Sequence, residues 1–367
     1  MTSIERLHAS GILRLGSHRS GFRYRWVGGG AAPPHHIDRI RALRLPPAWR
    51  QVAITASPHA RLQAVGRDAK GRWQYVYHPA HVRGRERKKH ERLLRFGAAL
   101  PRLRHAVGRD LRRRGLPRDK VLGVIARILA STFLRPGSEA YAAENGSYGI
   151  ATLRRRHVVV RGDTVQFDFP GKSGKRHRRT LRDRRVAATV TRLIALPGYE
   201  VFKYLDADGR VVDIKRADIT DYIKRNMGDA FTAKDFRTWS ATLICACVLA
   251  RLRSQLDAGG ASAARRAVAA AMRETAAQLG NTPAVCRASY VDASVLRAFA
   301  GGRVVARAVD DVASLAVEAL RGRHPCEAAL LALLRRRSAK FRRARRAAPL
   351  AAERRAARRT HERGGTA

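Results

Sequence analysis

Acidic side chains are scarce in this sequence. Only 29 Asp and Glu stand against 75 Lys and Arg in 367 residues, a formal charge of +46 and a pI near 11.7. Solubility needs nothing of that size, so the balance implies a polyanionic partner, nucleic acid first and an anionic membrane surface second. Cysteine is sparse as well. Cys245, Cys247, Cys286 and Cys326 show neither CxxC spacing nor a nearby histidine pair, which argues against zinc and against a disulfide framework; reduced, mostly buried thiols and no metal are expected. Long apolar runs are missing too. No stretch of about 18 uncharged apolar residues exists to span a bilayer, and Glu5, Arg6, His8 and Arg14 interrupt the opening MTSIERLHASGILRL where a secretory segment would need an apolar core. A cytosolic location is the expectation, and the excess of Arg and Ala suggests a GC-rich bacterial genome.

Apolar residues make up 45% of the chain, which rules out disorder throughout and leaves room for two domains with their own cores. GGGAAPP at 28–34 breaks any regular element. Beyond it, short alternating runs at 52–55, 62–65 and 73–77 predict strands, the last two joined by a turn at 68–71. From about His90 the apolar residues recur at threes and fours, through Leu93, Leu94, Phe96, Leu100 and Leu103 and again from Val121 to Leu129, so helices follow. The stretch YGIATLRRRHVVVRGDTVQFDFPGKSGKRHRRTL predicts three strands, and helices resume at 182–195, 215–227 and 237–252. The expected division is a lead segment 1–34, a β-rich domain 35–88, a larger domain 89–320 and a basic tail 321–367. The arginine-rich end has little to bury and is expected to be disordered or helical only on nucleic acid.

Four short stretches carry residues suited to phosphate chemistry, and each has a simpler explanation. GKS at 171–173 is similar to the end of a phosphate-binding loop, but Gln166 occupies the position of the required glycine and strands flank it on both sides; a solvated hairpin turn explains it equally well. Arg135 in FLRPGSE suits the C-terminal end of an apolar helix, where the helix dipole favours a cation. In AKDFRTWSATL the residues Asp235 and Arg237 read as a surface charge pair, although Arg237 borders a core helix, a poor place for an idle cation. Tyr290 in LGNTPAVCRASYV reads first as a packing aromatic.

Taken in order, PPAWRQVAI, GRWQYVYHP, LRPGSEAYAAENGSYGIATLRRRHV, FPGKSGK, KDFRTW and LGNTPAVCRASYV resemble the type IB DNA topoisomerases, the poxvirus-like bacterial group in particular, over about residues 35–310. The resemblance implies an α+β fold: a small β-rich N-terminal domain and a mainly helical catalytic domain with a three-stranded sheet, closing as a monomeric clamp around double-stranded DNA in the bacterial nucleoid. It implies Tyr290 as nucleophile, Arg135 and Arg237 as charge stabilisers, Lys172 as general acid and Asn281 at a position where many relatives carry histidine. A 3′-phosphotyrosyl intermediate, strand rotation and resealing would follow, with no cofactor, nucleotide or metal. Two alternatives stay open. A tyrosine recombinase shares this architecture but is expected to read His-x-x-Arg where Lys234 and Arg237 stand here, and a non-enzymatic basic DNA-binding protein would use the charge alone.

Overall fold

The computed structural model describes residues 1–254, 260–306 and 325–336, and its internal packing separates Met1–Lys89 from His90–Ala367. In the smaller unit, α1 (Ser3–Ser10) starts at a capping box in which Thr2 accepts from the Glu5 N–H while the Glu5 carboxylate accepts from the Thr2 N–H. It leads into an antiparallel sheet of β1 (Ile12–Ser17), β2 (Gly21–Trp26), β3 (Arg50–Ile54), β4 (Leu62–Arg67) and β5 (Trp73–Tyr77), in the order β2-β1-β3-β4-β5. The helix α2 (Pro34–Ala42) supplies Ile40 to a core it shares with Ile12, Val52, Ile54 and Ala64.

The sequence predicts three of these strands and assigns 1–34 to a lead segment; the structure puts α1, β1 and β2 into the same module. The reason lies in β2, where half-buried and exposed residues alternate with none fully buried, so an edge strand with arginines on its open face carries little apolar signal.

In the larger unit the core gathers around α8 (Ala233–Ser254), buried along most of its length. Against it or around it stand α3 (Pro79–Asp110), α4 (Arg118–Thr132), α5 (Glu139–Asn145), α6 (Arg184–Ala195), α7 (Arg216–Met227) and α9 (Gly260–Leu279). After α9 come a single turn α10 (Pro283–Val285), a π-helical turn (Cys286–Tyr290) and α11 (Ala293–Ala300). The three-stranded sheet is β6 (Val158–Arg161), β7 (Thr164–Pro170) and β8 (Arg176–Arg182), antiparallel in that order, and β9 (Lys203–Leu205) pairs with β10 (Val211–Asp213). Helix α3 starts eleven residues before His90, where periodic spacing begins, because its first turns are polar on every side and show no apolar stripe.

The expected boundary at 320/321 lies outside the described residues, as does 337–367 with most of the basic tail. Residues 325–336, also assigned to the tail, form a helix, α12, whose Cys326, Leu330, Leu331 and Leu334 are buried in the same core as α8. Glu327 is 2% exposed. Its carboxylate accepts two bonds from Arg104, at 2.7 and 2.8 Å, and one from the Trp239 indole at 3.1 Å. This stretch is part of the larger domain.

Candidate active site

The first turn of α8 decides where Arg237 goes. Asp235 accepts from the Thr232 N–H at 2.8 Å and takes a two-pronged bond from Arg92 at 2.5 Å on each oxygen. The surface pair expected between Asp235 and Arg237 is therefore not made. Arg237 turns inward and is 3% exposed. One terminal nitrogen donates to the Phe133 carbonyl and the other to the Leu279 carbonyl, the latter at 2.8 Å. Both ends of its planar fork are thus anchored to backbone, one on each side of the site. Its Nε is buried with no hydrogen-bond partner among the described residues.

Arg135 follows α4, which ends at Phe133 in the left-handed conformation (φ 58°), uncommon for a bulky residue and sustained here by burial and by the Arg237 bond to its carbonyl. The next residues are held by a second strand of backbone. The Ile150 N–H donates to the Arg135 carbonyl at 2.9 Å and the Ala151 N–H to the Pro136 carbonyl at 2.8 Å. Such an approach requires glycine on both sides: a Cβ on Gly149 would lie 2.4 Å from the Gly137 backbone. That contact fixes the main chain from which the Arg135 side chain leaves.

Asn281 is set by the end of α9. Gly280 takes φ +65°, and the Asn281 N–H reaches back to the Ala276 carbonyl at 2.9 Å, the closing bond of a glycine-capped helix end. Its Oδ1 accepts from Arg135 at 2.8 Å, and its Nδ2 is buried without a hydrogen-bond partner among the described residues, beside the weakly interacting Cys286 thiol. Tyr290 ends the π-turn, a widened turn of the kind found at functional sites. The Arg237 guanidinium sits 5.2 Å from the centre of its ring, and Thr242 donates to its carbonyl at 3.3 Å.

Burial alone would push the Tyr290 phenol up, but the Arg237 and Arg135 guanidiniums outweigh it and hold the phenol below its ordinary value. Burial lowers Arg237 to about 10, with Arg135 pressing the same way, which leaves it charged at neutral pH. Four of the five sequence candidates, Arg135, Arg237, Asn281 and Tyr290, are drawn into one cluster from separate parts of the chain. Two of them point buried, unpaired donors into it.

Lys172 stands apart from that cluster. It is exposed on the turn between β7 and β8 and makes no hydrogen bond or ion pair among the described residues. The base of its turn is firmly held: the Gly171 N–H donates to the Lys175 carbonyl at 2.8 Å, Ser147 donates to the Gly171 carbonyl at 3.2 Å, and the Tyr148 N–H donates to the Pro170 carbonyl at 2.9 Å. The sequence reading passes over two neighbours. His177 is buried beneath this turn, and Arg179 donates to the Gln278 carbonyl at 2.7 Å, tying β8 to the end of α9. Both lie in RHRRT, where the alternation of a strand was visible but not the partner on its inner face.

Among the described residues no group of His, Cys, Asp or Glu is arranged to hold a metal ion, and no helix is long and apolar enough to cross a membrane.

Two family models match the chain. One, described as the catalytic core of eukaryotic DNA topoisomerase I, covers residues 80–300, and the other, the N-terminal domain of bacterial DNA topoisomerase IB, covers residues 21–68. DNA topoisomerase 1B of Acanthamoeba polyphaga mimivirus is 36% identical over 259 residues, 70% of this chain and 77% of the relative. DNA topoisomerase 1B of Vaccinia virus (strain Copenhagen) is 29% identical over 117 residues, 32% of this chain and 37% of the relative. DNA topoisomerase 1 of Rabbit fibroma virus (strain Kasza) is 22% identical over 240 residues, 65% and 72% of the two chains.

Proposed function

We propose, from the premise that this chain belongs to the type IB DNA topoisomerase family, that it relaxes supercoiled DNA by a transient break in one strand, with Tyr290 as the nucleophile. The observation that carries this reading is the Arg237 guanidinium lying against the Tyr290 ring, with its Nε and the Asn281 Nδ2 buried and unpaired beside it. Buried donors without acceptors are costly in a folded protein and are kept where a ligand oxygen completes them. A phosphodiester supplies such oxygens.

The chemistry follows from what each group carries. The Tyr290 oxygen attacks phosphorus and loses its proton to solvent, the bond from phosphorus to the 5′-oxygen breaks, and the phosphate stays on the enzyme as a 3′-phosphotyrosyl ester that conserves the bond energy. The five-coordinate phosphate gains negative charge as this happens. Arg237, anchored at both ends of its fork, and Arg135, held by Asn281, offer fixed positive donors, each worth about 100-fold or more in rate. Asn281 adds a neutral N–H to a non-bridging oxygen. The departing 5′-oxygen needs a proton, and Lys172 is the ammonium suited to give it, reaching the leaving group from its exposed turn once DNA is bound. Rotation of the freed strand and reversal of the same steps reseal the duplex.

In this reading the protein acts as a monomer on chromosomal DNA in the cytosol and consumes no nucleotide. The charge of +46 draws it to duplex DNA without regard to sequence.

Plasmid relaxation in EDTA without ATP tests the whole reading. Wild type should relax the plasmid, and Tyr290→Phe should bind duplex DNA as tightly yet neither nick nor relax it. The covalent adduct should map to the 3′ end of the cut strand. Relaxation by Tyr290→Phe near the wild-type rate would refute the assignment of the nucleophile.

A further inference from the structure

His177 lies between two parts of the site, the turn that carries Lys172 and the turn that carries Asn281. It is 6% exposed. One edge of its ring faces Gly171, where an added Cβ would lie 2.2 Å from its Cδ2, and the other faces Gly280, where an added Cβ would lie 2.6 Å from its Cε1. The ring is therefore pinched between the backbone just before Lys172 and the backbone just before Asn281. The Phe169 ring, 5.6 Å away between centroids, backs it from the interior.

The surroundings allow only an uncharged ring there. Burial lowers His177 to about 4, and the neighbouring cations Arg135, Arg179, Arg237 and Lys175 act in the same direction. A fifth charge among these would repel the groups that hold the phosphate, while a smaller side chain would let the turn sink toward α9. A neutral flat ring meets both demands.

We propose that His177 is a positioning residue for strand cleavage, a neutral spacer between the Lys172 turn and the Asn281 turn that sets where the Lys172 ammonium meets the leaving 5′-oxygen. The inference rests on the reading of Lys172 as general acid, and it assigns His177 no contact with the phosphate. It makes the two glycines part of the same device, since each leaves the room that the ring fills.

Leaving-group chemistry separates this role from a general loosening of the fold. On a strand whose bridging 5′-oxygen is replaced by sulfur, the departing thiolate is several pKa units less basic than an alkoxide and hardly needs a proton. Single-turnover cleavage by the full-length protein is measured on both strands for Lys172→Ala, His177→Ala, His177→Phe and Gly171→Ala.

Lys172→Ala should be slowed about 100-fold or more on the oxygen strand and restored near wild type on the sulfur strand. His177→Ala should show the same pattern at a smaller size, about 10-fold on oxygen, because the lysine is still present but misplaced. Gly171→Ala pushes a methyl against the ring from the other side and should repeat it, whereas His177→Phe, which keeps a neutral flat ring at the cost of a somewhat larger outline, should lose clearly less on oxygen than His177→Ala. An equal loss on both strands for His177→Ala and Gly171→Ala, with Lys172→Ala still rescued by sulfur, overturns the positioning role and leaves the general acid in place. An equal loss on both strands for Lys172→Ala removes the general acid and this inference with it.

Discussion

Asp292 and His90, 202 residues apart, meet in the core at 3.2 Å, two residues beyond Tyr290. The same carboxylate caps α11 by accepting from the Ser294 N–H at 2.8 Å, and the Asp292 N–H donates to Thr242, the residue whose hydroxyl also holds the Tyr290 carbonyl. The main chain carrying Tyr290, the proposed nucleophile, is thus tied on one side to α8 and on the other to α3. This arrangement accounts for a tyrosine that stays in place while only half buried.

Burial would push the Asp292 carboxyl up, but its bonds to His90 and Ser294 prevail and hold it at about 2. A carboxyl depressed in this way stabilises the fold above its unfolded value near 4, and the contribution is lost as pH falls toward 2. Asp292→Ala should cost about 2–4 kcal/mol near neutral pH, from a lost cap and the lost pairing with the buried His90 ring. The gap between wild type and variant in urea midpoint should then narrow between about pH 4 and pH 2. A gap independent of pH would mean that the carboxylate charge plays no part.

Arg237 sets both the charge at the site and the acidity of Tyr290. Arg237→Ala should slow cleavage by about 100-fold or more, and it should also move the rising limb of the rate against pH to higher values. The sign follows from the surroundings of the phenol: burial raises it, and the guanidinium that offsets burial is gone. Arg237→Lys should recover little, since one ammonium cannot reach the Phe133 and Leu279 carbonyls and still serve the ligand. Single-turnover cleavage between pH 6 and 10 measures both effects, and an unmoved limb in Arg237→Ala would detach the arginine from the phenol.

The close approach of Gly137 and Gly149 predicts a defect remote from the phosphate. Gly149→Ala would set a methyl 2.4 Å from the Gly137 backbone, and neither segment can yield without breaking the bonds from Ile150 and Ala151 that hold Arg135 and Pro136. We expect a loss of cleavage of about 10-fold or more with DNA binding retained, because a displacement near 1 Å is enough to misalign a charged donor. Equal cleavage by the variant would show that Arg135 finds its position without this contact.

Much of the site was legible because four of its residues lie in short stretches that resemble one family in a fixed order. Arg237 could be singled out on physical grounds too, as a cation beside an apolar helix. His177 was not legible. It sits in RHRRT between two arginines, and an alternating basic strand looks solvated from its own sequence; the packing of that face against the end of α9, at Gln278 and Gly280, shows that it is inward. The strands β1 and β2 were hidden for a related reason: β2 is an edge strand with no fully buried residue, and β1, paired between β2 and β3, buries only Ile12 fully. In the segment 325–336 the spacing of Cys326, Leu330, Leu331 and Leu334 did carry a helical stripe, but the arginine-rich sequence that follows drew the boundary too early.

That boundary yields a last prediction, in which two truncations differing by sixteen residues should behave as opposites. Ending the chain after Arg336 removes ten Arg and one Lys against Glu353 and Glu362. If about four to six of those charges meet phosphates, the slope of log K against log salt should flatten by roughly that number, while single-turnover cleavage of a short duplex survives. Ending the chain after Leu320 also removes α12. The Arg104 fork and the Trp239 indole then lose the Glu327 carboxylate, and the core around α8 loses three leucines and a cysteine. Removing one partner of a buried ion pair alone costs about 3–5 kcal/mol, and each lost leucine adds about 2 kcal/mol or more, so this protein should be largely unfolded. Glu327→Gln separates charge from packing. It keeps an acceptor for Trp239 but breaks the pairing with Arg104, and it should lower the urea midpoint without abolishing cleavage. Full activity and an unchanged midpoint after truncation at Leu320 would return α12 to the tail.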